Sequence, residues 1–157
     1  MSSIIFLKGV FLISFLLIIS IIDFRTKMIY DKILFPMLII GICFLPCTDN
    51  SPLSTVSCAI CYSLLLLVLR MITKGGMGGG DIKFAFVLGI WLGFPATLPA
   101  VLLAFWSGAL FAFIFLIPYG VSRKQQIPFA PFMSFGALIS FFLLNQIIEI
   151  YRSLIYG

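Results

Sequence analysis

The sequence predicts an all-α integral membrane protein with about six transmembrane helices and a glycine-rich loop on its inner face. Three observations carry that prediction. First, 62% of the 157 residues are hydrophobic and only 10% are charged, with a mean hydropathy of +1.25, well outside the composition of soluble domains. Second, the apolar residues collect in six runs. A helix needs roughly 20 apolar residues to cross the hydrocarbon, or fewer where flanking groups snorkel or protein shields it. Third, eight of the ten bases fall in three clusters that alternating spans place on one side.

The first run, residues 4–22, lacks a small-residue cleavage site and passes straight into Asp23, so it reads as a retained span. The second and fourth runs, residues 33–46 and 82–94, are short. Each is expected to extend into the polar stretch before it or to sit among other helices. The third, fifth and sixth runs cover residues 53–72, 97–118 and 129–148. The joins carry ordinary breakers: residues 46–52 with Asp49 and Asn50, then 94–99, then 119–128. With no repeat and no low-complexity segment, residues 1–157 read as one polytopic membrane domain.

The net charge of +5 does not point to nucleic acid, because the bases sit in short clusters at span ends. Arg25, Lys27 and Lys32 follow the first span. Arg70, Lys74 and Lys83 flank the glycine loop, and Arg123 and Lys124 precede the last span, leaving only Lys8 and Arg152 opposite. That asymmetry sets both termini outside by the positive-inside rule. It also sorts the acids: Asp23, Asp31 and Asp81 fall at the inner face, Asp49 and Glu149 outside.

Two of those acids make a constellation. Asp23 ends the first span as IIDFRTK and Asp81 opens the fourth as GGGDIKF, so two distant carboxylates reach the same membrane depth. Ionisable groups at the edge of the hydrocarbon are costly and tend to be functional. Peptide-bond hydrolysis without nucleophile or metal needs such a pair: one carboxylate acts as base on a water while the other protonates the carbonyl oxygen. Histidine is absent from the chain, which removes the usual base for a serine or cysteine nucleophile and the commonest zinc ligand. No cofactor and no metal is expected. Helix direction assigns the shared proton to Asp23, which faces the negative pole of its helix, whereas Asp81 faces a positive one. Between the flanking runs, KGGMGGGDIKF supplies Gly78, Gly79 and Gly80. These are expected to allow positive φ angles and a close backbone approach that sets Asp81 against the Asp23 helix.

These residues carry a resemblance. GGMGGGDIKFAFVLGIWLG resembles the GxGD segment of the type IV prepilin peptidases, membrane aspartic peptidases that remove leaders from type IV pilins and type II secretion pseudopilins. Asp23, followed by Ile29 and Asp31, looks like the family's first-aspartate motif, and IPFAPFMSFGA resembles the late motif that opens the last helix. The similarity runs from about residue 20 to 140. Tyr30 stands where the family usually has Pro. The long bifunctional members carry a cytoplasmic insertion with paired CxxC metal sites, linked to N-methylation, where this chain has only residues 24–32 between its first two spans. The resemblance therefore implies a short form without methyltransferase activity. It implies a multi-pass protein of the bacterial cytoplasmic (inner) membrane that cleaves on the cytoplasmic side, after the glycine ending a basic leader. Asp23 and Asp81 would be the catalytic pair by their place in the motifs. The implied partners are a prepilin or pseudopilin substrate and membrane lipid, with the pilus or secretion assembly machinery as a further candidate.

Plainer readings stand beside these. Asp81 alone could be an N-cap. Asp31, among Arg25, Lys27 and Lys32, reads as an interfacial charge or a cap for the second helix, with substrate contact as the alternative. Pro131 in the late motif is a candidate for substrate contact or structural support. The lysines read as topology signals, with Lys83 placed to act on Asp81 by proximity. Cys43, Cys47, Cys58 and Cys61 read as buried small hydrophobes, with a Cys47 disulfide as the alternative. Gly89, Gly93, Gly108 and Gly136 are expected to permit close helix contacts. From another class, a small transporter or channel, or a non-catalytic scaffold, would also use inner-face acids. A transport path needs polar residues through the midplane, and the spans offer only scattered Ser14, Ser63, Ser107 and Asn145. Within the enzyme class, an intramembrane protease of the presenilin kind would show a Tyr-Asp pattern at the first acid, which is absent here.

Overall fold

The computed structural model describes the backbone of residues 3–47, 51–73, 78–116 and 128–156, with side chains except those of 47, 115, 116 and 144–156. Residues 74–77, including Lys74, the join at 119–127 with Arg123 and Lys124, and Asp49 lie outside the described residues, as do the side chains of Cys47, Asn145, Glu149 and Arg152. Among the described residues the chain forms six α-helices and no strand: α1 (Ser3–Thr26), α2 (Asp31–Cys43), α3 (Pro52–Ile72), α4 (Gly79–Leu92), α5 (Thr97–Phe111) and α6 (Ala130–Tyr156). A 3-10 turn at Leu45–Cys47 follows α2, and a π-helical segment at Ala112–Leu116 continues α5. The molecule is an all-α membrane protein.

Ser3–Thr26, Pro52–Ile72 and Thr97–Ile114 are long and apolar enough on their own to cross a membrane. The 24 residues of α1 span ~36 Å at 1.5 Å per residue, more than a hydrocarbon core of about 30 Å. By contrast α2 has 13 residues and α4 has 14, each reaching only ~20 Å. Burial resolves the shortness of α4. From Val87 to Leu92 every residue is buried, so this helix is walled by α2, α3 and α6. The short fourth run needs no full span of lipid-facing surface because protein surrounds it.

Packing explains which residues form the core. On α1 the buried positions Gly9, Leu12, Leu16, Ile19 and Asp23 recur at three- and four-residue steps, one inward stripe of a 3.6-residue helix. That stripe faces α6, which also packs on α5, while α3 packs on α4. Close approach at small residues holds these pairs. A Cβ on Gly89 would collide with the Cα of Ala59, and one on Gly136 with the carbonyl oxygen of Ala100. Gly41 lies flat against the indole of Trp91, whose Nε1 donates to the Met37 carbonyl at 2.9 Å and ties α4 to α2. Gly93 serves a different purpose from the one expected of it. With φ 65 and ψ −171 it closes α4 in a conformation open only to glycine.

Candidate active site

The inner stripe of α1 runs through its last turn, so Asp23 is carried inward with Leu16 and Ile19 and is only 3% exposed. The helix then stops at Lys27, whose N–H donates to the Asp23 carbonyl at 2.8 Å and whose φ of 53 lies in the left-handed region. The Asp23 side chain is held by another helix. Its Oδ2 accepts from the N–H of Ala130 at 3.1 Å, the first residue of α6, whose free amides form an anion-favouring end. Pro131 follows as the second residue of α6, in the first turn, where a missing N–H is tolerated.

Asp81 is fixed by its own helix. Gly78 is the N-cap of α4, with φ −65 and ψ 145, and Asp81 is the third helical residue. Its Oδ2 accepts from the Gly78 N–H at 3.2 Å, one half of a capping box. Asp81 is therefore not the N-cap itself, and it is 6% exposed.

The two carboxylates line one cavity of about 270 Å³, closed by residues 27–29 of the α1–α2 join and by residues 78–80. The glycines admit this approach by their size. A Cβ on Gly80 would stand 2.9 Å from the Ile29 Cβ, and one on Gly79 would stand 2.6 Å from Arg70 Nη1. Positive φ is not what they supply: among the described residues it occurs only at Gly93 and Lys27. The close approach decides because α4 starts directly against the α1–α2 join.

Other expected site residues fall elsewhere. Lys83 does not pair with Asp81; its Nζ contacts Asp31 Oδ1 at 2.9 Å and Oδ2 at 2.7 Å. Lys83 lies two residues beyond Asp81, and that step around the helix turns its side chain toward α2. Asp31 is the first residue of α2 rather than its cap, which is Tyr30 without a side-chain bond. Cys43 and Cys61 are exposed and Cys58 is half-buried, all three free thiols. They sit on the outside of the bundle, not in its core, because lipid-facing positions accept a small apolar group as readily as the interior does. Among the described residues no three His, Cys, Asp or Glu side chains gather as a metal site would require.

Two contributions escaped the sequence reading. Arg70, in the last turn of α3, was assigned only to topology, although it lies against Gly79 beside the cavity. The Ala130 amide is invisible as a side chain. Its signal was the late IPFAPFMSFGA motif, whose helix start is what reaches Asp23. With α6 presenting its N-terminus there, both acids face a helix N-terminus, and helix direction no longer singles out Asp23 as the proton carrier. Among the described residues neither carboxylate is ion-paired. Two buried, unpaired carboxyl groups on one cavity can share a proton and polarise a water between them.

Residues 10–113 match the type IV leader peptidase family. Among curated relatives, a prepilin leader peptidase/N-methyltransferase from Xanthomonas campestris is 29% identical over 143 residues, covering 87% of this chain and 50% of the relative. One from Bacillus subtilis is 30% identical over 157 residues, covering 95% and 60%, and one from Legionella pneumophila is 33% identical over 138 residues, covering 83% and 47%. The chain thus spans about half to three-fifths of the length of these relatives. No solved structure matches it.

Proposed function

The chain belongs to the type IV leader peptidase family, and from that premise we propose that it is an aspartic endopeptidase of the bacterial inner membrane. Its substrates are type IV prepilins or type II secretion pseudopilins, and it removes their basic leader on the cytoplasmic side, after a glycine. The observation that carries this reading is one shared cavity lined by both Asp23 and Asp81, each buried and, among the described residues, neither ion-paired.

In this mechanism the ionised carboxylate of the pair takes a proton from a water, whose oxygen attacks the scissile carbonyl carbon. The protonated partner gives its proton to the carbonyl oxygen. Collapse of the tetrahedral intermediate breaks the C–N bond, and the proton first taken from water passes to the leaving amine. The Ala130 and Gly78 amides hold one oxygen of each acid in place, leaving the other oxygens for water and substrate. A peptide bond is accessible only when the chain is extended, and the wall at residues 78–80, without side chains, leaves room for one. Pro131 acts through the α6 terminus that holds Asp23, as a positioning residue. The reading covers one polytopic domain over residues 1–157 and is confined to the peptidase: only residues 27–30 join α1 to α2, with no paired-cysteine insertion there.

The test is co-expression with a prepilin, followed by gel shift and N-terminal sequencing, for the wild type and for Asp23→Asn and Asp81→Asn. Loss of leader removal with either change, at normal membrane levels, is expected. Full processing by both variants would leave the acids as caps and charge anchors and favour a transporter or scaffold.

A further inference from the structure

A second cavity, of about 450 Å³, opens between α2, α3 and α4 on the other side of the α4 start. Its walls are apolar, with Leu34 and Leu38 from α2 and Phe86 and Val87 from α4; at one end stand the joined charges of Asp31 and Lys83. Both charged residues lie in the opening turns of their helices, so the pair sits at the membrane edge and the apolar walls run one to two turns deeper.

We propose that this groove binds one phospholipid whose headgroup carries both a phosphate and a primary ammonium, of the phosphatidylethanolamine type. The acyl chain lies between α2 and α4, and the headgroup lies against Asp31 and Lys83.

Size and chemistry select this occupant. Two turns of an α-helix, about 11 Å across with side chains, displace roughly 1,000 Å³, twice the groove, so a substrate helix would stand largely outside it, whereas a single acyl chain is slender enough to lie along it. An extended peptide would fit by width, but its backbone N–H and C=O groups would meet apolar walls and lose their hydrogen bonds. An acyl chain has no such groups. At the charged end, a lysine ammonium has three donors and a carboxylate has lone pairs to spare, and the two side chains remain 61% and 69% exposed. A phosphate on Lys83 and an ammonium on Asp31 complete a ring of four alternating charges with no net charge. A glycerol headgroup offers the phosphate but nothing to Asp31, and a choline headgroup offers a cation with no N–H to donate.

The test uses the full chain, delipidated in detergent and titrated with ethanolamine, glycerol and choline phospholipids of identical acyl chains, with bound lipid counted by native mass spectrometry. The ethanolamine lipid is expected to bind at roughly fivefold lower concentration than either of the others, the worth of one interfacial charge contact. Asp31→Asn should bring it down to the level of the glycerol lipid, and Lys83→Met should weaken both. Ser63→Phe, on the α3 wall of the same groove, should abolish binding of all three without touching the pair. Melting temperature in detergent reports whether each variant is folded, and the wild-type headgroup ranking stands without any variant. Equal retention of the three lipids would overturn the proposal. So would displacement of bound lipid by a peptide covering a prepilin leader and its following residues, which would give the groove to the substrate.

Discussion

Two groups of acids share one end of the bundle and live under opposite physics. Asp23 and Asp81 are 3% and 6% exposed, each held by a backbone amide, and among the described residues neither is in an ion pair. Asp31, eight residues after Asp23 in the chain, is a largely exposed carboxylate clasped by Lys83 at 2.7 Å. A carboxylate out of water and not directly ion-paired is expensive to keep ionised, so it gains from sharing a proton. A carboxylate in water beside a lysine loses little by being there and contributes little, about 0–1 kcal/mol for such a pair. The comparison teaches that position along the bundle does not by itself set an acid's environment. What the neighbouring helices place around it does.

The hardest test of that contrast is the pair itself. Asp23→Asn and Asp81→Asn are each expected to slow leader removal by roughly 10³-fold or more, since either change removes one of the two roles that the pair divides and leaves the other carboxyl without its partner. The double variant should fall no further than a single one, because residues acting as a unit are not additive. Initial rates on purified prepilin in detergent check this, and an additive double loss would mean that the acids act separately.

A smaller effect is expected from the wall between the two groups. Gly80→Val would force a side chain into Ile29, where even a Cβ stands at 2.9 Å, and push the α4 start away from the α1–α2 join. A misplacement of about 1 Å costs on the order of 10²-fold in rate. The same assay should show that loss with little change in melting temperature, because the core below, from Phe84 to Leu92, is untouched.

The exposed pair should barely register in stability. Asp31→Asn is expected to lower unfolding stability by less than about 1 kcal/mol, read as a shift of melting temperature in detergent that shrinks as salt is added. A large, salt-insensitive loss would erase the distinction between the two groups of acids. The smallest effect has the opposite sign. Lys27 closes α1 at φ 53, a conformation that costs a residue with a Cβ about 1–2 kcal/mol. Lys27→Gly should therefore stabilise the fold by up to about 1 kcal/mol. Part of the relief is offset by the freer unfolded chain.

The membrane class, the helices and the two acids were legible in the sequence because each depends on composition or on short motifs. Apolar runs bounded by breakers mark spans whatever packs beside them, and GGGD and IIDF mark helix ends by local chemistry. α1 and α4 were placed within four residues of their observed ends on that basis alone.

The tertiary structure decided what faces what. A helix in lipid is apolar all round, so no polar face betrays its inward stripe, and only packing against α6 sets Leu12, Leu16, Ile19 and Asp23 on the buried side. The Ala130 amide reaches Asp23 from more than a hundred positions along the chain, a contact no local pattern encodes. Lys83 turns from Asp81 to Asp31 because α2 lies on that side of α4. The glycines before Asp81 are needed for an approach of ångströms between segments, not for their own dihedral angles. Hydropathy and charge determine that this chain enters a membrane and carries two acids to one edge of it. Shape complementarity between nearly featureless helices determines that those two acids share a cavity and that the third does not.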